Sequence, residues 1–341
     1  MSQTEAPVSA NRAPSATSAD ELIAEAMGDV DNKIRDSLHS DVVLINQMSH
    51  YIIGAGGKRL RPKLVLLSAL AQGYTGSHHI NIAAVIEFIH TATLLHDDVV
   101  DSSDLRRGKE TANTVWGNEA AVLVGDFLYS RSFEMMVEVG QMRVMEILSA
   151  STNTIAAGEV MQLMNIGEAD ITEQRYMEVI TAKTAKLFEA ATQLGSVLAN
   201  AEPRQESLMA EYGARLGIAF QLIDDVLDYT AASEELGKNA GDDLTEGKPT
   251  LPLIYALQSA STADAKMIKD ALRQAENGGL LSADEVQPVV SLINQSGANE
   301  RTVELARQQV TQAIDALNLL PSGDHKDALV AIAESSVQRR F

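Results

Sequence analysis

The sequence LLHDDVVD at residues 94–101 and its counterpart IDDVLD at residues 223–228 both place a D-D-x-x-D run at the end of an apolar, helix-patterned segment. Residues four apart share one face of a helix, so the first and last aspartates of each run are expected side by side. A single run would fit a solvated helix end about equally well. Two copies, each preceded by apolar residues, favour a cation held between the carboxylates, because burying them without a partner is costly. The candidate ligands are Asp97, Asp98, Asp101, Asp224, Asp225 and Asp228.

The composition favours helices and limits the classes of function. Of the 341 residues, 45% are hydrophobic but only 4% are aromatic, so aliphatic side chains must fill the core, which suits helices better than sheets. The absence of cysteine excludes disulfides and thiolate metal sites and is compatible with a reducing cytosol. A net charge of −20 disfavours nucleic acid as a partner. No apolar run approaches the length of a membrane span.

The domain organisation is simple. Residues 1–19 are rich in Ser, Ala, Thr and Pro without an apolar core, which predicts a disordered leader rather than a signal peptide. Helical patterning continues from residue 20 to the end, without alternating strand-like runs, internal repeats or a convincing linker. The sequence therefore predicts one all-α domain over residues 20–341. Among the expected helices are 21–34, 41–53, 63–71, 81–100, 120–139, 172–198 and 211–229.

Cations stand beside Gly/Pro turns and the acidic runs. In GAGGKRLRP at residues 54–62 the glycines end a helix and Pro62 suits the first turn of the next, which predicts an anion site at a helix start. A basic surface turn is the alternative. Arg106 and Arg107 follow the first run, where they either neutralise it or clamp a diphosphate bidentately. The Gly-, Asp- and Lys-rich loop at residues 236–250 has a length that is usually functional or mobile.

Together these groups predict a cavity that binds a metal and phosphorylated ligands. No Cys or His stands at metal-ligand spacing, so a hard ion such as Mg²⁺ is expected. The chain has no Walker-type GxxxxGK[ST] run, and neither a Ser/His/Asp nor a Cys/His arrangement. His90 and His96 are single residues on an apolar helix, where packing is the commoner role. The expected chemistry is Lewis-acid departure of a diphosphate, giving a carbocation in an apolar, water-poor cavity.

The motif order GGKRLRP, LLHDDVVD, LRRG, KT, QLIDDVLDY and GDDLTEGKPTLP resembles the trans-isoprenyl diphosphate synthases, also called polyprenyl synthases, from about residue 41 onward. The resemblance implies the isoprenoid synthase fold, a single-domain, all-α bundle of antiparallel helices around a deep central cavity. It also implies an Mg²⁺-dependent transferase that adds isopentenyl diphosphate successively to an allylic diphosphate. The sequence between the motifs is most similar to bacterial octaprenyl-forming members, and farnesyl diphosphate is the expected starter. The expected product is octaprenyl diphosphate for a quinone side chain.

The resemblance also implies a role for individual residues. The six aspartates would hold Mg²⁺ against the allylic diphosphate and, with Lys183, would be catalytic. The allylic substrate would be contacted by Arg106, Lys183, Thr184, Gln221, Lys238 and Lys248. Isopentenyl diphosphate would be bound by Lys58, Arg61, His90 and Arg107. In family terms the alkene attacks the allylic cation, and a proton leaves to the departing diphosphate to give an E product.

Product length is expected to depend on the depth of the cavity beside the helix that carries Asp97, because each turn advances about 5.4 Å, near one isoprene unit. Short-chain members have a bulky aromatic residue one turn upstream, where this chain has Ala92 and Thr93. We expect Met136 on a neighbouring helix to form the floor, with simple core packing as the alternative. Ala92→Phe is expected to shorten the product to roughly farnesyl or geranylgeranyl size.

Two other functions remain as alternatives. A class I terpene cyclase usually replaces the second aspartate run with a motif of Asn, Ser and Glu, and a non-catalytic subunit of a heteromeric synthase tends to lose one run. This chain keeps both runs. The resemblance further implies a homodimer formed through helices near the first run. An acidic chain with so apolar a product is expected to be cytoplasmic, with transient membrane contact for product release.

Overall fold

Helices make up nearly all of the regular structure in the computed structural model, which describes residues 18–54, 57–106, 108–230, 241–276 and 281–338. The helices are α1 (Ala19–Leu22), α2 (Ala24–Ser37), α3 (Val43–Gly54), α4 (Leu60–Leu70), α5 (His78–Val100), α6 (Ala112–Trp116), α7 (Asn118–Val139), α8 (Met142–Asn165), α9 (Glu173–Ile180), α10 (Lys186–Leu198), α11 (Pro203–Thr230), α12 (Asp242–Thr245), α13 (Leu251–Ser259), α14 (Thr262–Glu276), α15 (Ala283–Gln295), α16 (Ala298–Ala316) and α17 (Asp324–Ser336).

Three short elements complete this description. A π-helical turn (Thr181–Ala185) joins α9 to α10, and a 3₁₀ turn (Leu317–Leu319) follows α16. The strands β1 (Leu105–Arg106) and β2 (Lys109–Glu110) form a small antiparallel hairpin, and the described ranges contain no other strand. The predicted all-α fold is therefore confirmed. Within the same ranges, every helix is too short or too polar to cross a membrane.

The first acidic run is positioned by the buried helix α5. Its apolar residues from Ile82 to Ile89 are buried almost throughout, and they pack against α4 and α7. The helix ends at Val100, and Asp101 is its C-cap residue. Because its apolar residues bury α5 in the core, the last turn of this helix places Asp97 and Asp98 inside the protein.

The second acidic run is positioned by close packing of α11 against α10. A Cβ atom at Gly213 would lie 2.4 Å from the carbonyl oxygen of Phe188, and one at Gly217 would lie 2.6 Å from the Cα atom of Ala185. Any larger side chain at these two positions would force the helices apart. The two glycines therefore let α11 lie directly against α10, which also contacts α4, α5 and α8.

Several helix boundaries differ from those expected from the sequence, and three of the differences have a clear local description. Ala19, assigned to the leader, is already helical because Ser18 and Glu21 form a capping box; residues 1–17 lie outside the described residues, so their disorder stays a prediction. Helix α11 begins eight residues earlier than expected, at Pro203, which is suited to a first helical turn. The helix expected over residues 172–198 is interrupted by the π-helical turn, and Thr172 caps its start.

Candidate active site

A cavity of about 1330 Å³ receives residues from both acidic runs. Asp97 from α5 and Asp224 from α11 both line it, so the two helix ends face one shared space. Its other charged and polar lining residues include Lys58, Arg61, His90, Arg106, Glu159, Lys183, Thr184 and Gln221. One predicted aspartate of each run and several of the predicted cations are therefore brought together, although they come from distant parts of the chain.

The middle aspartate of the first run is buried and already paired. Only 4% of Asp98 is exposed, and its Oδ1 atom lies 2.8 Å from Nε and 2.6 Å from Nη2 of Arg106. Burial raises the pKa of Asp98 above its ordinary value even though Arg106 opposes that rise. In this structure Arg106 therefore neutralises the acidic run, which is the first of the two roles that its position suggested.

The middle aspartate of the second run is held by hydrogen bonds from neutral groups. The hydroxyl of Tyr176 donates to Oδ2 of Asp225 at 2.5 Å, and Nε2 of Gln221 donates to Oδ1 at 2.8 Å. Thr184 in turn donates to Oε1 of Gln221 at 3.0 Å. Burial, followed by the nearby charge of Asp243, raises the pKa of Asp225 to about 8. A continuous hydrogen-bond chain thus links the π-helical turn to the second run.

The outer aspartates of the first run each contact a lysine. The Nζ atom of Lys183 lies 3.6 Å from Oδ2 of Asp97 and 2.6 Å from Oε2 of Glu159 on α8. Burial, followed by the charge of Asp97, raises the pKa of Glu159 to about 7. The π-helical turn carries Lys183, and widened turns of this kind are frequent at functional sites.

The second lysine ties the two runs together. Lys248 follows the second run in sequence, yet its Nζ atom lies 2.7 Å from Oδ2 of Asp101 in the first run and 2.5 Å from Oε2 of Glu246. Burial lowers the pKa of Lys248, but the charges of Glu246 and Asp101 outweigh it and raise the pKa above its ordinary value. Asp228 accepts a hydrogen bond from the backbone N–H of Asp243.

A second group of cations also lines the larger cavity. Nη1 of Arg61 lies 3.1 Å from Nε2 of His90, and its guanidinium carbon lies 4.4 Å from the centre of the Phe188 ring. Lys58 is exposed and also lines the cavity. This arrangement of two cations and an imidazole can receive a diphosphate, because guanidinium and ammonium groups donate several hydrogen bonds to its oxygens.

Two further cations at this rim are held by carboxylates. Arg59 pairs with Asp31 and Glu87, and Lys63 pairs with Asp20.

A smaller, mainly apolar cavity of about 430 Å³ adjoins the first between α5, α7 and α8. The two cavities share Thr93, Asp97, Ile155 and Glu159 as lining residues. Of the three residues assigned to chain length, Thr93 lines both cavities, whereas Ala92 and Met136 are fully buried and line neither. Neighbours on a helix point about 100° apart, which is why Ala92 faces the core while Thr93 faces the cavity. The effect of Ala92 or Met136 on product length stays a prediction.

The carboxylates fit a hard divalent cation, although they do not form a finished cage. Within the described ranges, no three His, Asp or Glu side chains are grouped as a ready metal site. Asp97, Asp101 and Asp224 nevertheless offer only oxygen donors around the cavities, and Mg²⁺ typically takes one or two carboxylates together with waters and substrate phosphates. Arg107 and Lys238 lie outside the described residues, so their predicted contacts with substrate stay predictions.

Sequence reasoning missed four residues of the site. Glu159, Tyr176, Asp243 and Glu246 all contact or influence predicted residues, but none stands at a motif position that the spacing of the aspartates singles out. Tyr176 is 49 residues from its partner Asp225. Asp243 and Glu246 do have a signal in the sequence, because both stand in the Gly-, Asp- and Lys-rich loop that carries Lys248.

Comparisons with known proteins agree with this site. A family model described as polyprenyl synthetase matches residues 42–289. The octaprenyl diphosphate synthase of Escherichia coli (strain K12) is 52% identical over 319 residues, which cover 94% of this chain and 97% of that protein. The all-trans-nonaprenyl-diphosphate synthase (geranyl-diphosphate specific) of Rhodobacter capsulatus is 41% identical and covers 93% of this chain and 96% of that protein.

A solved structure shares the fold over nearly its whole length. It is a polyprenyl synthase from Caulobacter crescentus CB15, complexed with calcium and isoprenyl diphosphate, and it superposes with a TM-score of 0.91 at 43% identity. The match covers 95% of this chain and 97% of that one.

Replacing Asp225 with Asn is expected to weaken the pH dependence of stability. The pKa of the carboxyl is about 8 in the folded chain and near 3.9 in an unfolded chain, so between these values the unfolded chain releases a proton that the folded chain keeps. The stability from this group is complete below about pH 4 and is lost as the pH rises to about 8. The melting temperature of Asp225→Asn should therefore fall less than that of the wild type between about pH 5 and 8.

Thermal melts followed by circular dichroism in EDTA measure this difference. Asp170→Asn is the control, because Asp170 is exposed and Lys269 lowers its pKa instead. Parallel profiles for the wild type and Asp225→Asn would contradict a carboxyl that is protonated in the folded chain at neutral pH.

Proposed function

This chain belongs to the polyprenyl synthetase family, as its motifs predicted, and we propose on that basis that it is a long-chain trans-polyprenyl diphosphate synthase. It would add isopentenyl diphosphate successively to an allylic diphosphate, with farnesyl diphosphate as starter. The observation that carries the proposal is that Asp97 and Asp224, from two intact runs, line one cavity together with a cationic rim. The adjoining, mainly apolar cavity would bind the growing hydrocarbon tail.

The chain's own residues would perform most of the work. Lys58, Arg61 and His90 would bind the diphosphate of isopentenyl diphosphate and aim its double bond at the allylic carbon. Lys183 and Lys248 would stabilise the negative charge that develops on the departing allylic diphosphate. The apolar walls would exclude water, so that the alkene rather than water captures the cation. A proton then leaves the new chain for the departed diphosphate, which restores a double bond.

We propose Mg²⁺ as the cofactor, held by the six aspartates, of which Asp97, Asp101 and Asp224 line the cavities. When bound, it supplies Lewis-acid polarisation of the allylic diphosphate. The oxygen-only donor set supports this choice, and so does the calcium in the related structure from Caulobacter crescentus CB15. Contacts of Arg106, Thr184 and Gln221 with substrate are also part of the proposal. Arg106 donates a hydrogen bond to the buried Asp98, and Gln221 donates one to the buried Asp225.

We propose octaprenyl diphosphate, the precursor of a quinone side chain, as the product. The 52% identity to an octaprenyl diphosphate synthase supports this length, while the 41% identical relative is named for a nonaprenyl product. Cytoplasmic residence is part of the proposal because a net charge of −20 favours solubility. Transient membrane contact would accompany release, because so apolar a product partitions from water into lipid.

Incubating the chain with Mg²⁺, farnesyl diphosphate and radiolabelled isopentenyl diphosphate tests the function directly. A long diphosphate product is expected, and Asp97→Asn should lose activity by about 100-fold or more, because it removes a carboxylate ligand of the proposed Mg²⁺ and weakens the stabilisation of the departing diphosphate. Asp170→Asn, an exposed surface change, serves as the control. A cyclised hydrocarbon would instead identify a class I terpene cyclase, and no product would favour a non-catalytic subunit of a heteromeric synthase.

Thr93→Phe is expected to shorten the product to roughly farnesyl or geranylgeranyl size, because a ring at the junction of the two cavities would block the path between them. Mass spectrometry of dephosphorylated products measures the length. Ala92→Phe is the companion variant: its ring would enter the core behind the wall, at a cost of about 1–3 kcal/mol in the free energy of unfolding. Wild-type products from Thr93→Phe would argue against this path for the tail.

We also propose a homodimer formed through α6 and α7, next to the first run. Val115, Val122, Leu123 and Val137 on these helices are exposed apolar residues, and such groups often mark protein interfaces. Leu123→Glu should shift the chain from dimer to monomer in sedimentation equilibrium, because a charge would be buried without a partner. Leu319→Glu, at an exposed position on the 3₁₀ turn, should leave the dimer intact. A monomeric wild type would refute the proposal.

A further inference from the structure

The two lysines of the site share one pattern of contacts. Lys183 forms ion pairs with Asp97 and Glu159, and Lys248 forms ion pairs with Asp101 and Glu246. Each lysine therefore has one aspartate from the first run and one glutamate that belongs to neither run. The pattern occurs twice, on unrelated segments of the chain, so it does not depend on the packing of a single side chain.

We propose that Glu159 and Glu246 are positioning residues, which keep Lys183 and Lys248 at the diphosphate site when a divalent cation takes over Asp97 and Asp101. The inference rests on the proposed function, because it assigns a task to residues around the same substrate. It adds Glu159 and Glu246 to the site and explains why each lysine contacts a glutamate as well as an aspartate.

The physical reason is competition for the same carboxylate oxygens. A metal ion and an ammonium group repel each other, so a carboxylate that binds the metal attracts the ammonium group less strongly. Metal binding at Asp97 and Asp101 must therefore loosen the contacts that these aspartates make with the lysines. A lysine side chain has a flexible four-carbon stem, so without a second anchor it would lose its fixed position. The glutamates supply that anchor, and Glu159 already lies closer to Lys183 than Asp97 does, at 2.6 Å against 3.6 Å.

The backbone around Glu159 is built for this contact. Its neighbour Gly158 faces the π-helical turn, where a Cβ atom would lie 2.6 Å from the backbone nitrogen of Lys183 and 3.0 Å from the carbonyl carbon of Ala182. Any side chain at residue 158 would push α8 away from the turn. The glycine therefore brings the backbones of α8 and the π-helical turn close enough for the short reach between the glutamate and the ammonium group.

The backbone around Glu246 uses a glycine in a similar way. Gly247 has a φ of +70°, a left-handed conformation that turns the chain between Glu246 and Lys248. The backbone N–H of Lys248 donates to the carbonyl of Asp243 at 2.8 Å, and the carbonyl of Gly247 accepts from the N–H of Gly167 at 2.9 Å. Glu246 and Lys248 thus lie on one turn that backbone hydrogen bonds hold in place, so the Glu246 carboxylate can keep its contact with the Lys248 ammonium group when Asp101 does not contribute.

Double-mutant cycles with a non-reacting ligand test the proposal. Calorimetry would measure the affinity for inorganic diphosphate in the presence of Mg²⁺ for the wild type, Glu159→Gln, Lys183→Met and the double variant, and for the corresponding set at Glu246 and Lys248. Each glutamate variant should weaken binding by about tenfold or more. In the lysine-substituted background the same change should have little further effect, because no ammonium group remains to be positioned.

Glu134→Gln is the matched control, since Glu134 is exposed and paired only with Arg131 on its own helix in the described contacts. The KM for the allylic diphosphate gives a second readout and should rise in the glutamate variants with a smaller change in kcat. If one glutamate variant does not fold, the other cycle still tests the proposal.

The possible results separate the inference from the proposed function. Additive losses in the double variants would show that the glutamates act independently of the lysines, as metal ligands or through their charge, and would overturn the inference alone. Unchanged affinity in both glutamate variants would also overturn it. A wild type that binds no magnesium diphosphate and makes no product would overturn the proposed function, and the inference with it.

Discussion

The main constraint on this structure is the repulsion among the carboxylates that lie close together in the site. Two aspartate runs and two further glutamates share a small region where burial penalises the charges of Asp98, Asp225, Glu159 and Glu246. Several of these carboxylates have a specific partner. Arg106 for Asp98 comes from the next hairpin, whereas Lys248 for Asp101 comes from 147 residues away. A site with this much like charge is therefore complete only when the elements that carry these partners are packed together.

The partners also divide the aspartates into two kinds. Asp98 and Asp225, the second residue of each run, are almost fully buried and receive bonds from Arg106 or from Tyr176 and Gln221. Asp97 and Asp224, the first residue of each run, line the cavity instead. Fixing the middle carboxylate of a helical turn also fixes its neighbours, because the helix backbone is rigid. Asp98 and Asp225 therefore orient Asp97 and Asp224, although they do not themselves line the cavity.

The sequence was sufficient for the features that follow from local periodicity. Apolar spacing predicted the helices, and the D-D-x-x-D spacing predicted which aspartates share a face. It was insufficient wherever a tertiary contact decided the local structure. The π-helical turn at Thr181–Ala185 occurs where Gly158 approaches, and no pattern within residues 172–198 announces it. Likewise Ala92 and Thr93 were equally good candidates for the cavity wall until the packing of α5 fixed its rotation.

The same reasoning explains why the missed residues are mostly partners of predicted ones. A motif shows the groups whose spacing along the chain is short, but the group that satisfies a buried charge is selected by distance in space. Tyr176 and Glu159 reach Asp225 and Lys183 from helices that have no acidic run of their own. Each buried charge found by spacing requires a partner, since an unpaired one would be too costly to bury, and only some partners, such as Arg106 for Asp98, stand close enough in sequence to be predicted. Asking which group satisfies each predicted charge is thus a way to extend a motif into a complete site.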